Sequence, residues 1–154
     1  MTIQHIPFAL PVAVKPIECT RSYSTMMAGL PVINLMGADL HAITEEETVR
    51  IVMEELDQER DGSILTMNLD HLRRHTRDHF CRSLYSRATL HVADGMPLIW
   101  ASRLQGTPLP ERVTGSSLIW RLSEVAAQEN RSVFLLGGES GTADEAAIVL
   151  KNKY

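Results

Sequence analysis

Ala88-Thr89-Leu90-His91-Val92-Ala93-Asp94-Gly95-Met96-Pro97-Leu98-Ile99-Trp100 passes from a short, β-prone apolar run into a turn held open by Gly95 and Pro97, and then into a helix-like segment. A carboxylate at such a junction has a defined place in an α/β sheet, because ligands bind outside the carboxyl ends of the strands. Asp before Gly is also common in plain turns. On this stretch alone, a structural and a functional Asp94 are evenly matched.

Working outward, Ser63-Ile64-Leu65-Thr66-Met67-Asn68 has the same shape: a buried strand ending in polar residues, with a helical pattern from Asp70 through Leu72, Phe80 and Leu84. Two neighbouring strand ends would therefore present Thr66, Asn68, Asp70 and Asp94 to one crevice. Upstream, Pro31 to Met36 and Leu40 to Ile43 read as a strand or small hairpin. Thr44-Glu45-Glu46-Glu47 then fits a capping box, in which the Thr hydroxyl and the Glu carboxylate satisfy the first free amides of a helix. Val49, Val52, Met53 and Leu56 recur at helical spacing behind it, with acidic residues on a solvated face, and Asp61-Gly62 ends the element. Downstream, Met96 to Leu104 is a short helix. Thr114-Gly115-Ser116-Ser117 offers N-caps for a helix with Leu118, Leu122, Val125 and Ala126 inward. Ser132 to Leu136 is a further buried strand, and Thr142-Ala143-Asp144-Glu145 is a second capping box. Strands alternating with helices argue for α/β: a Rossmann-like, mostly parallel sheet flanked by helices. Residues 1–29, with Pro7, Pro11 and Pro16 and no sustained periodicity, form an arm, and residues 30–154 form the α/β domain.

The 154 residues allow one domain with a sizeable core, and 44% hydrophobic with 22% charged residues excludes disorder as the main state. A net charge of -4 gives no global attraction to nucleic acid, which is not expected as a partner. Cys19 and Cys81 belong to no zinc or CxxC pattern and are read as reduced thiols in a cytoplasmic protein. The apolar N-terminal stretch is broken by prolines and falls far short of the ~18 residues of a membrane span.

Several constellations carry chemistry. Gly137-Gly138-Glu139-Ser140-Gly141 lies between a strand and a helix, where glycines let backbone amides approach a phosphate; a tight βα turn is the plainer reading, and neither GxGxxG nor a Walker A loop is present. His71, His75 and His79 recur every four residues, but among Arg73, Arg74, Arg77 and Asp78 they read as a solvated basic face, so no metal site is expected. Those arginines, with Arg82 and Arg87, are candidates to meet an anion. Asp94 with Thr66, Asn68 and Arg112 suits general-base chemistry beside a cation.

Four ordered motifs then resemble a known family: Thr66-Met67-Asn68-Leu69-Asp70-His71; Ala93 to Arg103; Pro108-Leu109-Pro110-Glu111-Arg112-Val113-Thr114-Gly115-Ser116; and Val133-Phe134-Leu135-Leu136-Gly137-Gly138. They are similar to the WecG/TagA/CpsF glycosyltransferases (glycosyltransferase family 26) from about residue 31 onward. The resemblance implies an inverting transferase that moves a sugar, of the N-acetylmannosamine type, from a UDP-sugar to a polyprenyl-diphosphate-linked saccharide. Such enzymes build teichoic-acid linkage units, enterobacterial common antigen and exopolysaccharides, peripheral to the cytoplasmic face of the membrane. It implies Asp94 as base, Thr66 and Asn68 as groups that place the sugars, Arg112 on substrate or diphosphate, Gly137 and Gly138 against the nucleotide, and Gly95 and Thr114 within the substrate-binding set. No cofactor is implied. The absence of Asp-x-Asp leaves the diphosphate charge to positive side chains and helix ends, so a metal-independent reaction is expected.

Family members continue past Lys151-Asn152-Lys153-Tyr154 into a donor-site segment and a basic C-terminal appendage. A C-terminally truncated domain, with its sheet incomplete and prone to self-association as a homo-oligomer, is therefore expected. Two alternatives stand beside the enzyme: a non-catalytic nucleotide-sugar-binding remnant and a nucleotide-dependent oxidoreductase, the latter disfavoured by the missing GxGxxG.

Overall fold

The computed structural model describes residues 29–154. The arm expected over 1–29 lies, through residue 28, outside the described residues.

β1 (Val32–Leu35) and β2 (Ala38–His41) form an antiparallel hairpin with Leu35 opposite Ala38 and Asn34 opposite Asp39. Its two-residue loop, Met36 at φ 52 and Gly37 at φ 87, has both residues left-handed, as primed hairpin turns require. The Asn34 side chain spans the turn, accepting from the Gly37 amide at 3.0 Å and donating to Asp39 at 2.7 Å.

α1 (Glu45–Asp57) begins with the expected capping box: the Glu47 amide donates to Thr44 Oγ1 at 3.1 Å, and the Thr44 amide donates to the Glu47 carboxylate at 2.7 Å. Its buried face uses Val49, Ile51 and Met53, whereas Leu56, expected inward, is exposed. β3 (Ile64–Met67) and β4 (Leu90–Ala93) pair in parallel, Ile64 opposite Leu90 and Met67 opposite Ala93. α2 (Leu69–Arg77) and α3 (His79–Tyr85) lie between them in sequence. The chain breaks between these helices because the Asp78 carboxylate accepts from the amides of Phe80 and Cys81, restarting the helix. α4 (Met96–Gln105), α5 (Gly115–Gln128) and α6 (Thr142–Lys153) complete the order. Among the described residues no helix is long and apolar enough to cross a membrane.

Alternation along β3 and β4 feeds a core on each face. Met67 and Ala93 join Leu35, Leu40, Leu72, Leu98 and Ile99, so the hairpin, α2 and α4 cover one face. Leu90 and Val92 join Val49, Ile51, Val113 and Leu118, so α1 and α5 cover the other. At 20–30 cal/mol per Å² of apolar surface, each fully buried Leu or Ile here stabilises by roughly 1.5–3 kcal/mol relative to exposure. β2 meets β4 through two histidines: the His91 amide donates to His41 Nδ1 at 3.0 Å, and the two rings stack with centroids 6.1 Å apart.

The α/β class holds, but the sheet arrangement differs from the expectation. The described strands form one antiparallel and one parallel pair, in place of one mostly parallel sheet. Ser132–Leu136 enters no ladder. A strand needs a neighbour's backbone groups as well as apolar side chains, and this run instead turns Val133 and Leu135 toward Ala127, Ala147 and Leu150 around a cavity of about 400 Å³. Phe134 and Leu136 stay 87% and 91% exposed. The second capping box does not form either. Thr142 is already the first helical residue, and Gly141, at φ 90, takes the cap position with no side-chain bond.

Two outcomes follow for stability. Burial, then the nearby charge of His91, holds His41 below its ordinary 6.5, and its bare Nδ1 is the acceptor in the β2–β4 bridge. The unfolded chain takes up this proton first on acidification, so the contribution of His41 is complete above about pH 6.5 and is lost as pH falls through the lower folded value. Urea midpoints measured from about pH 8 to about pH 5 are expected to drop below pH 6.5, and to drop less in His41→Asn; parallel curves for the two proteins would refute this. Thr44→Ala is expected to cost about 1 kcal/mol through the lost cap, and an unchanged midpoint would contradict the role given to Thr44.

Candidate functional site

Because Met67 faces Ala93, β3 and β4 end together, and the Asp94 amide donates to the Met67 carbonyl at 2.8 Å, extending the pairing by one step. Asn68 and Asp94 are thus the first residues past two adjacent strand ends. Gly95 holds φ 138 and ψ 137, a conformation open essentially to glycine alone, and this bend starts α4 directly after the carboxylate. Asp94 is half-buried.

The loop after α4 returns to the same edge. The Val113 amide donates to the Ala93 carbonyl at 2.9 Å. Thr114, buried, then caps α5, its Oγ1 accepting from the Ser117 amide at 3.0 Å. A methyl group on Gly115 would stand 3.5 Å from Thr66 Oγ1, so the first turn of α5 lies over the Thr66 side chain. Free amides in a helix's first turn carry partial positive charge and suit an anion.

Arg112 is exposed and forms no ion pair among the described residues. Its neighbour Glu111 reaches across the fold, its carboxylate accepting from the Glu45 amide at 2.6 Å. The Glu45 carboxylate in turn accepts from the Ser117 hydroxyl. Glu45, Glu111 and Ser117 therefore tie the starts of α1 and α5 to the loop that carries Arg112. Sequence reading missed them: Glu45 looked like part of a solvated acidic run, and no local spacing links it to partners 66 and 72 positions away.

Other sequence candidates sit differently. Asn68 Oδ1 accepts from the His71 amide at 3.0 Å and the Asn68 amide meets His71 Nδ1 at 3.3 Å, so Asn68 caps α2, leaving its side-chain amide as the group that can face a ligand. Gly137 and Gly138, at φ 108 and 85, form a turn in which a methyl on Gly138 would press on Thr142 Cβ at 3.2 Å. Among the described residues, no hydrogen bond joins these glycines to the Asp94 edge. His79 lies beyond the break at Asp78, so it does not share a helix with His71 and His75. Arg73 and Arg74 are taken by Asp70 at 2.8 and 2.7 Å, and the bonds from Arg73 and Arg74 hold that carboxyl below the usual range. Among the described residues, no group of three or more His, Cys, Asp or Glu side chains is placed to hold a metal ion.

The edge thus combines a half-buried carboxylate and a hydroxyl under a helix N-terminus, and the loop that returns to it carries Arg112, which has no ion pair among the described residues. Residues 33–154 match the Glycosyl transferase WecG/TagA/CpsF family. The chain belongs to that family. No curated protein matches the chain. Membership of the WecG/TagA/CpsF family associates this fold with glycosyl transfer, and the matched span contains Thr66, Asn68, Asp94, Gly95, Arg112, Thr114, Gly137 and Gly138.

Gly95→Ala tests the bend. The new methyl would meet Pro97 Cδ only at an ordinary 3.7 Å, so the penalty is conformational. It is expected at about 1–3 kcal/mol; a denaturation midpoint equal to wild type would show that the backbone here is unstrained.

Proposed function

We propose that this chain is an inverting glycosyltransferase of the WecG/TagA/CpsF type, transferring a sugar of the N-acetylmannosamine class from a UDP-sugar to a polyprenyl-diphosphate-linked saccharide. The observation that carries this reading is the position of Asp94 at the common end of β3 and β4, the strand pair whose Thr66 lies under the first turn of α5. In the reaction, the Asp94 carboxylate removes the proton of the acceptor hydroxyl. The freed oxygen attacks the anomeric carbon from the face opposite UDP, the bond from that carbon to the diphosphate oxygen breaks, and UDP leaves with the electron pair. One base and one displacement invert the configuration.

Arg112 and the α5 first turn meet the charge that grows on the leaving diphosphate. Thr66, Asn68, Gly95 and Thr114 orient the reacting sugars, and Gly137 and Gly138 lie along the nucleotide. Because the acceptor is lipid-linked, the site works at a membrane surface, peripherally and on the cytoplasmic side. The two small sheets are read as parts of a Rossmann-like architecture that serves cell-surface polysaccharide synthesis.

The deciding experiment incubates the chain and Asp94→Asn with a panel of UDP-sugars and a lipid-diphosphate acceptor and measures UDP release. The variant is expected to lose about 10²- to 10⁴-fold in rate, and chelation of divalent cations is expected to leave the wild-type rate unchanged. Equal rates in the two proteins would remove Asp94 as base, and a rate abolished by chelator and restored by a divalent metal would overturn metal independence. UDP-sugar binding without any UDP release would favour a non-catalytic binding role.

A further inference from the structure

Helix α4 is apolar on two opposite sides. Leu98, Ile99 and Ser102 are buried, and the two aliphatic side chains pack into the core beneath the hairpin. Met96, Trp100 and Leu104 recur every four residues, so they form one row along the other side. They are 38%, 61% and 93% exposed. The row begins two positions after Asp94, at the sheet edge, and runs away from it along the helix. A single exposed leucine is ordinary. A helix-long row of large apolar side chains in water marks a surface that something else covers.

The charges around the fold are sorted in the same sense. α2, α4 and, through Tyr85, α3 pack on one face of the β3–β4 pair. Those three helices carry Arg73, Arg74, Arg77, Arg82 and Arg103 against Asp70, with Asp78 at the α2–α3 junction. α1, on the other face, carries six carboxylates against Arg50. Arg103 is exposed on α4 itself, next to Leu104, and forms no ion pair among the described residues. The side that shows the apolar row is therefore basic, and the opposite side is acidic.

Two observations choose the occupant. Even at the ~150–250 Å² of a large aromatic each, three side chains exposed to these extents fall short of the ~800 Å² that each partner buries in a stable protein interface. A lipid surface needs no such area: a short apolar row can enter the headgroup boundary, where Trp is favoured, while arginine stems lie along it and their guanidinium groups meet anionic headgroups. We propose that the Met96, Trp100 and Leu104 face of α4, with Arg103, docks on an anionic lipid surface, and that the acidic α1 side is held away from it. This deepens the transferase reading and rests on it for the lipid-linked acceptor, which the docked face would meet one turn from Asp94.

Flotation of the full chain with vesicles tests this, using phosphatidylglycerol and phosphatidylcholine in equal parts against phosphatidylcholine alone. Binding is expected to the anionic vesicles and to be at least about tenfold weaker to the neutral ones. Leu104→Ser is expected to weaken it about tenfold or more, the scale of one leucine withdrawn from an apolar boundary, and Arg103→Gln about fivefold, the scale of one basic residue near an anionic surface. Trp100 and Trp120 are the two tryptophans, so Trp120→Phe leaves Trp100 as the sole reporter. Its emission is expected to shift to the blue on the anionic vesicles and to be quenched by brominated acyl chains. Absence of binding, equal binding to both vesicle types, unchanged binding in Leu104→Ser, or a Trp100 that bromine does not quench would each overturn the proposal. A blue shift that grows with protein concentration in the absence of vesicles would assign the face to a second copy instead, and overturn it too. No sugar nucleotide or acceptor is present, so failure here bears on this face alone, and failure of UDP release in the Asp94 experiment bears on the transferase reading.

Discussion

The parallel pairing of Ile64–Met67 with Leu90–Ala93 is the constraint on which the rest of the molecule depends. It has only four residues per strand, yet it divides the core in two and sets the line along which Asn68 and Asp94 emerge. Strand side chains alternate, so a slip of one residue would send Val92 to the face now filled by Ala93 and would withdraw Thr66 from beneath α5. Burial on both faces is what forbids that slip. The same apolar contacts that stabilise the fold therefore also fix the register of the polar edge, and the chemistry inherits its alignment from the packing.

Helix starts reinforce this edge. α1, α2 and α5 each open with a side chain bonded to a first-turn amide, from Thr44, Asn68 and Thr114 in turn. Asn68 directly follows β3, and Thr114 follows a segment bonded to the end of β4. Caps that stop a helix from fraying thus stand at the same sheet edge as Asp94, where first-turn amides can face an anion. Structure and candidate chemistry share these residues, which is why a cap such as Asn68 reads at once as a structural and as a functional position.

What was legible in the sequence was local. The Thr44 box, the Thr114 cap, the strands within 63–68 and 88–93 and the bend at Gly95 each follow from neighbours within a few positions, and each is present, the strands as Ile64–Met67 and Leu90–Ala93. The failures at residues 133–136 and at Glu45 have a physical source in partners remote in sequence, whereas the failure at Thr142 is local. Val133-Phe134-Leu135-Leu136 has strand composition, but composition supplies no ladder. The Thr142 box has the right spacing, but Gly141 takes the cap because its left-handed backbone bends the chain there. The acidic run hid Glu45, whose role shows only when Glu111 and Ser117 arrive from the other end of the domain. The location of Asp94 comes from Met67, whose carbonyl accepts from the Asp94 amide, and not from anything in the Asp-Gly pair itself.

The loop around Arg112 has a thermodynamic consequence. On one side Glu111 is anchored to the amide of Glu45, and on the other Val113 is anchored to the carbonyl of Ala93. Arg112 is a swivel with both of its hinge posts set in the fold: the backbone on each side is already ordered before any ligand arrives. Immobilising the guanidinium would then forfeit only side-chain freedom, roughly 2 kcal/mol at most. A mobile arm with an unanchored root would lose backbone freedom as well. Two hydrogen bonds made by its neighbours therefore remove the backbone's share of the cost of ordering the Arg112 side chain.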